Sequence, residues 1–444
     1  MYLLLLAVLL PWTTLCAEVA IPLKRKTLLM RWSKWSTEYD DSITANPKSM
    51  WQRRPLPGLH PRQGTNQLPF FGQREQKDHD GLVQAQDNDD YYHFLFLTEI
   101  TIGTPPQHFL ANVDINWSDV FVPSSDCTLD PDVGKLCIPR RKYNASASST
   151  YAANGRPTAL FYFWIDTKGK ISQDLLEVGG LEVSGQQFEE ATFWETLYPT
   201  WWSPQESAFG LARLSPQHFK TIHANSPLQN LVGRNMLDKN VFTLELPQTD
   251  ETPGELVLGG YNESKLGPNS LTLPISHQMD GHNRGILFLA SCGWQVNISS
   301  LTFDAPEWQD QPLNIDLEGY TAIISNSIDY ISFPFSKMKP MEDYLRLDQR
   351  EDLDCSWRTN LPNLTVSFGD HGDITLTPTQ YLSWVENEKD EVRCEFPFSM
   401  MYFGDQEEHE KDFIILGTPF LQSLYSVFDM DNETISFAIR EDWG

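Results

Sequence analysis

The sequence predicts a two-lobed, all-β protein, and three observations carry that expectation. From Phe94 onward, short runs of alternating apolar and polar residues are separated by clusters of Gly, Pro, Asn and Asp, which is the rhythm of half-buried strands. Helical patterns are few and short. An apolar run ending in a small polar cluster occurs twice, about half the body apart, as if two related lobes each sent a loop to a shared cleft.

The strands follow in order. Residues 94–103 read as the first, the Pro105-Pro106 turn closes it, and residues 109–114 read as its partner. Strand-and-turn units recur at residues 175–180, 241–246, 255–260, 365–368, 373–377 and 413–417. The repeated unit consists of residues 111–116 followed by 120–123, and residues 322–327 followed by 330–334.

A chain of 444 residues can bury two ordinary cores, and 40% apolar content excludes wholesale disorder. The apolar opening that ends near Cys16 and Ala17 has the layout of a cleaved signal peptide, residues 1–17, and is too short to span a bilayer. No later stretch has the length for a membrane span. The expected product is secreted, with a lysosome or another endomembrane compartment as the alternative.

Charge divides the chain. Residues 17–85 hold 11 Lys and Arg against 7 Asp and Glu, whereas residues 86–444 hold 22 against 53. So acidic a body is a poor partner for nucleic acid or an anionic membrane surface, both of which need clustered Lys and Arg. The basic leader, residues 18–85, carries Leu23, Leu28, Leu29, Trp32 and Trp35, then Pro-, Gln- and Gly-rich sequence with a dibasic Arg53-Arg54. This is a propeptide-like layout with a processing point. Two readings of the leader stand side by side: docking on the acidic body, or a solvated tail.

Cys16 aside, five cysteines remain, an odd number for an oxidising compartment. Proximity pairs Cys127 with Cys137 and Cys355 with Cys394, leaving Cys292 as a buried thiol or an intermolecular partner. Sequons at Asn116, Asn144, Asn262, Asn297, Asn363 and Asn432 fit passage through the glycosylating compartments.

Over residues 94–444 the chain resembles the pepsin-like aspartic proteases. The likeness rests on Thr101-Ile102-Gly103-Thr104-Pro105-Pro106-Gln107, on Asp114 followed by Val120-Phe121-Val122-Pro123, on a flap-like hairpin containing Tyr162, and on the closing run from Ile415-Leu416-Gly417 to Val427-Phe428-Asp429. Both cysteine pairs match the family's disulfides. The resemblance implies an all-β, bilobal pepsin-like fold with a central cleft under a flap, an N-terminal lobe over residues 86–247 and a C-terminal lobe over residues 248–444.

Each lobe of that family contributes an Asp-Thr-Gly, and hydrolysis uses two carboxylates that share one proton. Threonine hydroxyls brace the loops across the lobe boundary. In this chain the two triplets are Asp114-Ile115-Asn116 and Ser325-Asn326-Ser327, so one of six positions survives. Ser325 cannot share a proton as an acid does, Ile115 offers no hydroxyl, and Asn116 and Ser327 add side chains where bare backbone packs. Asp114 is either a surviving half-site or a structural carboxylate held by backbone donors.

Trp117 is placed to crowd or refill the cleft floor, and Tyr162 and Trp164 of the flap-like segment either plug the cleft, line a ligand pocket or pack as core. Asp119 and Asp329 are too far along the chain from the motif positions to serve as displaced acids. The histidine spacings His277/His282 around Asp280 and His218/His223 match no strong metal motif, so neither metal nor cofactor is expected. The acidic run 405–412 reads as a solvated hairpin tip. The chain is expected to be a monomeric, non-hydrolytic protein that holds a protein or peptide in its interlobe cleft, as an extracellular signal or decoy. The alternative is an aspartic-type endopeptidase with an unconventional second acid, active at acidic pH.

Overall fold

The computed structural model describes residues 17–31, 90–127, 137, 140–162, 165–196, 204–213, 224–279, 284–346, 355, 358, 360–386, 392–401 and 413–441. Trp164, Trp32, Trp35, Arg53, Arg54, Asp280, His282, His218, His223 and the acidic run 405–412 lie outside these residues.

Strands dominate, as the alternating pattern requires. A 13-stranded sheet begins with Leu271–Pro274, Thr434–Ile439 and Leu424–Asp429 and passes through Val241–Glu245 and Gly254–Leu258. It continues through Val19–Arg31, Asp90–Ile102, Ile165–Val178 and Leu181–Thr196 to Phe121–Pro123. Gln107–Asp114, Ser207–Gly210 and Ala152–Tyr162 branch from it. A seven-stranded sheet belongs to the C-terminal half, ordered Asp373–Leu376, Leu364–Ser367, Gln295–Phe303, Leu313–Ile324, Phe413–Leu416, Ile331–Phe333 and Phe398–Met400. Every strand expected from the sequence is present. The longest described helix, Phe335–Leu345, has 11 residues. No helix among the described residues is long and apolar enough to cross a membrane.

The described part of the basic leader is docked. Val19 to Leu23 pair antiparallel with Leu258 to Gly254, and Lys24 to Arg31 pair with Leu97 to Asp90. Strand pairing is reinforced by side chains, because Ile21, Leu23 and Leu28 enter the core while Pro22, Lys24 and Lys26 face water. Arg25, 5% exposed, donates to Asp250 Oδ1 at 3.0 Å, to the carbonyl of Gln248 and to that of Trp384. Burial alone lowers the basicity of its guanidinium, and Asp250 opposes that shift.

The internal repeat becomes a structural one. Ala111 to Asp114 pair in parallel with Ser207 to Gly210, and Thr321 to Ile324 pair in parallel with Phe413 to Leu416. In both halves a glycine lets backbone approach the motif loop: a Cβ on Gly210 would meet Trp117 O at 2.3 Å, and one on Gly417 would meet Tyr330 O at 2.1 Å. The disulfides join Cys127 to Cys137 and Cys355 to Cys394, and Cys292 is a buried free thiol.

Candidate functional site

The two motif loops meet at the lobe boundary, each fixed by a strand that ends there. Asp114 closes the strand Gln107–Asp114 and its side chain is wholly buried. Its Oδ1 accepts the backbone N–H of Asn116 at 2.7 Å and the hydroxyl of Ser327 at 3.1 Å, and its Oδ2 accepts the Tyr162 hydroxyl at 3.0 Å. Desolvation pushes the carboxyl up to about 6, against the pull of these three donors and of His93.

Ser325 occupies the matching place in the second loop and turns toward its own loop. Its Oγ lies 3.3 Å from Ser327 Oγ and accepts the Ser327 N–H at 3.3 Å. Among the described residues, the hydrogen-bond partner of Asp114 from the C-terminal half is therefore Ser327.

The brace between lobes is made of amides rather than hydroxyls. Asn326 Oδ1 accepts the Ile115 N–H at 3.0 Å and its Nδ2 donates to Val113 O at 2.7 Å, so one side chain grips the backbone on both sides of Asp114. From the opposite loop, Asn116 Nδ2 donates to Ile324 O at 3.0 Å. The sequence suggested that the brace was lost with Ile115. A primary amide carries both a donor and an acceptor, as a hydroxyl does, and that equivalence was the available signal.

Asp119 and Asp329 are both buried and neither bonds Asp114. The indole N–H of Trp117 donates to Asp119 O at 2.7 Å. Asp329 Oδ2 meets His93 Nδ1 at 2.7 Å while Oδ1 accepts the Phe94 N–H at 2.9 Å, a second polar tie between the halves that the sequence did not reveal.

Above Asp114 the interior is filled by rings. Tyr162, 1% exposed, reaches down from the flap-like hairpin and also accepts from Asn112 Nδ2 at 2.8 Å. Trp117 packs with its ring centroid 4.7 Å from that of Tyr162, Phe121 lies 5.5 Å from Tyr162, and Trp194 lies 5.5 Å from Phe121. Helix Arg284–Ser291 adds Phe288, 5.9 Å from Trp117. The residues form an apolar cluster drawn from both halves, with Leu160 and Ala208 on one side and Ile323, Ile328, Phe413 and Ile415 on the other. Tyr162 and Trp117 are thus packed within this buried apolar cluster.

A profile of the family described as Eukaryotic aspartyl protease matches residues 95–440. The chain is 29% identical over 362 residues to a vacuolar aspartic protease of Candida albicans, covering 79% of this chain and 76% of that protein. It is 27% identical over 412 residues to vacuolar protease A of Aspergillus fumigatus (90% and 91%), and 26% identical over 361 residues to cathepsin D of Gallus gallus (79% and 81%). The chain belongs to the eukaryotic aspartyl protease family.

Proposed function

We propose that this chain is a non-hydrolysing member of its family, exported as a monomeric glycoprotein, that acts by binding a protein or peptide as an extracellular signal or decoy. The observation that carries this reading is the state of Asp114: wholly buried beneath Tyr162 and Trp117, and bonded to one N–H and to the hydroxyls of Tyr162 and Ser327 rather than to a second acid. Activating water needs an ionised carboxylate next to a protonated one, and a hydroxyl does not titrate in the working range. Among the sequons, Asn144, Asn262, Asn297 and Asn432 are exposed, which supports their use as glycan sites.

The names of the relatives favour a second reading, an aspartic endopeptidase in an endomembrane compartment that recruits an unconventional acid. The raised pKa of Asp114, about 6, would suit a protonated partner. Hydrolysis of denatured haemoglobin and of casein, followed from about pH 3 to about pH 7 with and without a transition-state peptide inhibitor, separates the two. No turnover is expected at any pH. Inhibitor-sensitive turnover that Asp114→Asn abolishes would establish the second reading.

A further inference from the structure

Three buried oxygens run in series across the lobe boundary. Among the described residues, the hydrogen-bond partners of Ser325 Oγ are both on Ser327: the hydroxyl at 3.3 Å and the backbone N–H at 3.3 Å. Ser327 Oγ stands between Ser325 Oγ and Asp114 Oδ1, the latter 3.1 Å away in the other half. All three residues are buried, so each hydroxyl hydrogen has to be given to a neighbour in the series.

The charge of Asp114 decides which way those hydrogens point. A carboxylate only accepts, and one arrangement then uses every hydrogen: Ser325 O–H donates to Ser327 Oγ, and Ser327 O–H donates to Asp114 Oδ1. A proton on Oδ1 reverses the series, with Asp114 O–H donating to Ser327 Oγ and Ser327 O–H to Ser325 Oγ. The Ser325 hydrogen is then left without an acceptor among the described residues, which penalises protonation on that oxygen. On the other side, Oδ2 already receives the Tyr162 hydroxyl at 3.0 Å, and that hydroxyl accepts from Asn112 Nδ2 at 2.8 Å. With the Asn116 N–H on Oδ1 at 2.7 Å, the surroundings of Asp114 are built from donors.

A second buried acid shows what this frame does. Glu189 is as deeply buried, but it has the Thr167 hydroxyl on Oε2 at 2.5 Å and no hydrogen-bond partner on Oε1. Burial, with Asp166 and Asp119 nearby, pushes it up to about 8, whereas Asp114 is pushed up only to about 6. The titratable neighbours of Asp114 are His93 on Asp90–Ile102, itself held by Asp329 of the second motif loop, Tyr162 from the flap-like hairpin, and Cys292. Burial raises both Tyr162 and Cys292, and the charge of Asp114 raises them further. The paired strand Ser207–Gly210 brings no titratable side chain.

We propose that Ser325 and Ser327 are positioning residues for the charge of Asp114, a two-hydroxyl relay from the C-terminal half that favours the ionised form of a single buried carboxyl and makes this contact between the halves sensitive to pH. The inference concerns the charge of the centre and rests on neither reading of the function.

The titration of Asp114 in the full chain, followed by its carboxyl carbon-13 shift and assigned with Asp114→Asn, tests the relay. Ser327→Ala is expected to raise the midpoint by about one pH unit, a roughly tenfold gain in proton affinity, because a hydroxyl that serves the charged form is gone. Ser325→Ala, which removes only the hydroxyl behind Ser327, is expected to raise it by less. Urea unfolding gives a second readout: Ser327→Ala should lose more stability at about pH 8 than at about pH 4, since a higher folded pKa deepens the loss as pH rises. A midpoint that stays or falls in Ser327→Ala overturns the proposal, as does an equal loss of stability at both pH values. Neither readout involves turnover, so the outcome of a protease assay leaves this test intact.

Discussion

Asn116 and Asn326 cross the lobe boundary in opposite directions, Asn116 Nδ2 reaching Ile324 O at 3.0 Å and Asn326 Nδ2 reaching Val113 O at 2.7 Å. The two amides are unequal. Asn326 satisfies both of its polar ends, whereas Asn116 Oδ1 is buried with no hydrogen-bond partner. Asn326 should therefore contribute more to holding the halves together.

Removing each amide tests that order. Asn326→Ala strands a buried N–H on Ile115 and a buried carbonyl on Val113, at roughly 3 kcal/mol in total. Asn116→Ala frees one carbonyl but also removes an unpartnered acceptor, so it is expected to cost under about 1 kcal/mol. Asn326→Thr, whose hydroxyl can both accept and donate, should recover part of the loss. Urea unfolding of the three variants measures this, and a larger loss at Asn116 would refute the asymmetry.

The buried acids make stability depend on pH. Asp114 is raised from 3.8 to about 6 and Glu189 from 4.5 to about 8, each chiefly by desolvation. A raised carboxyl favours the folded state when protonated. Its contribution is complete below the unfolded pKa and is lost as pH rises through the folded one. The chain is thus expected to lose stability between about pH 4 and about pH 8 on account of these groups. Asp114→Asn should relieve up to about 3 kcal/mol at neutral pH and nothing below about pH 4. The figure is an upper bound because the amide takes an acceptor away from the Tyr162 hydroxyl. Equal effects of the substitution at both ends of the range would show that Asp114 is not buried as an acid.

Arg25 ties the leader to the body. Replacing it with Ala leaves Asp250 with Thr27 and Lys26 as partners among the described residues and uncovers the carbonyls of Gln248 and Trp384, for an expected loss of roughly 3 kcal/mol. The same contacts predict the fate of a cut at Arg53-Arg54. The strand Val19–Arg31 should stay bound in native buffer and separate only in denaturant, as native against denaturing mass spectrometry would reveal. Loss of the leader from the nicked native protein would mean that its pairing is dispensable.

Glycan mapping probes the motif loop directly. Asn144, Asn262, Asn297 and Asn432 are exposed, and Asn363 is half-buried with its Nδ2 on Asp304 at 3.0 Å. Asn116 is 2% exposed. Occupancy is expected at the first five and absent at Asn116, since a packed interior cannot admit a sugar. Peptide mapping that found a glycan on Asn116 would place this loop outside the cleft floor.

The strands, both disulfides and the meeting of the motif loops were legible because each leaves a mark in the sequence: period-two alternation, short cysteine spacing, and the apolar run ending in a small polar cluster that occurs twice, at residues 111–116 and 322–327. The leader strand was ambiguous because Val19–Arg31 mixes Pro22 and four basic residues with its apolar positions, and only its partners Gly254–Leu258 and Asp90–Ile102 decide that it pairs. Helix Arg284–Ser291 escaped notice because an apolar run of that length suits a strand as well as a helix. The amide brace was hidden by residue type: Asn326 reads as a lost threonine until its donor and acceptor are seen to reach Val113 and Ile115. His93 and Asp329, 236 residues apart, carried no sequence signal at all.

Supplying an acid at Ser325 is the sharpest test of the proposed lack of hydrolysis. Ser325→Asp supplies a second carboxyl, yet Asp114 would remain under Tyr162, Trp117 and Phe288, so neither water nor a peptide bond gains access. The expected result is no turnover of a fluorogenic peptide. A loss of stability should accompany it, larger at neutral than at acid pH, because a second buried carboxyl must be kept protonated or be charged at a desolvation cost. Adding Phe288→Ala to Ser325→Asp should make Cys292 reactive, and any turnover should emerge only in the double variant. Inhibitor-sensitive hydrolysis by Ser325→Asp alone would mean that the centre is open to solvent and that the absent carboxylate was the whole obstacle.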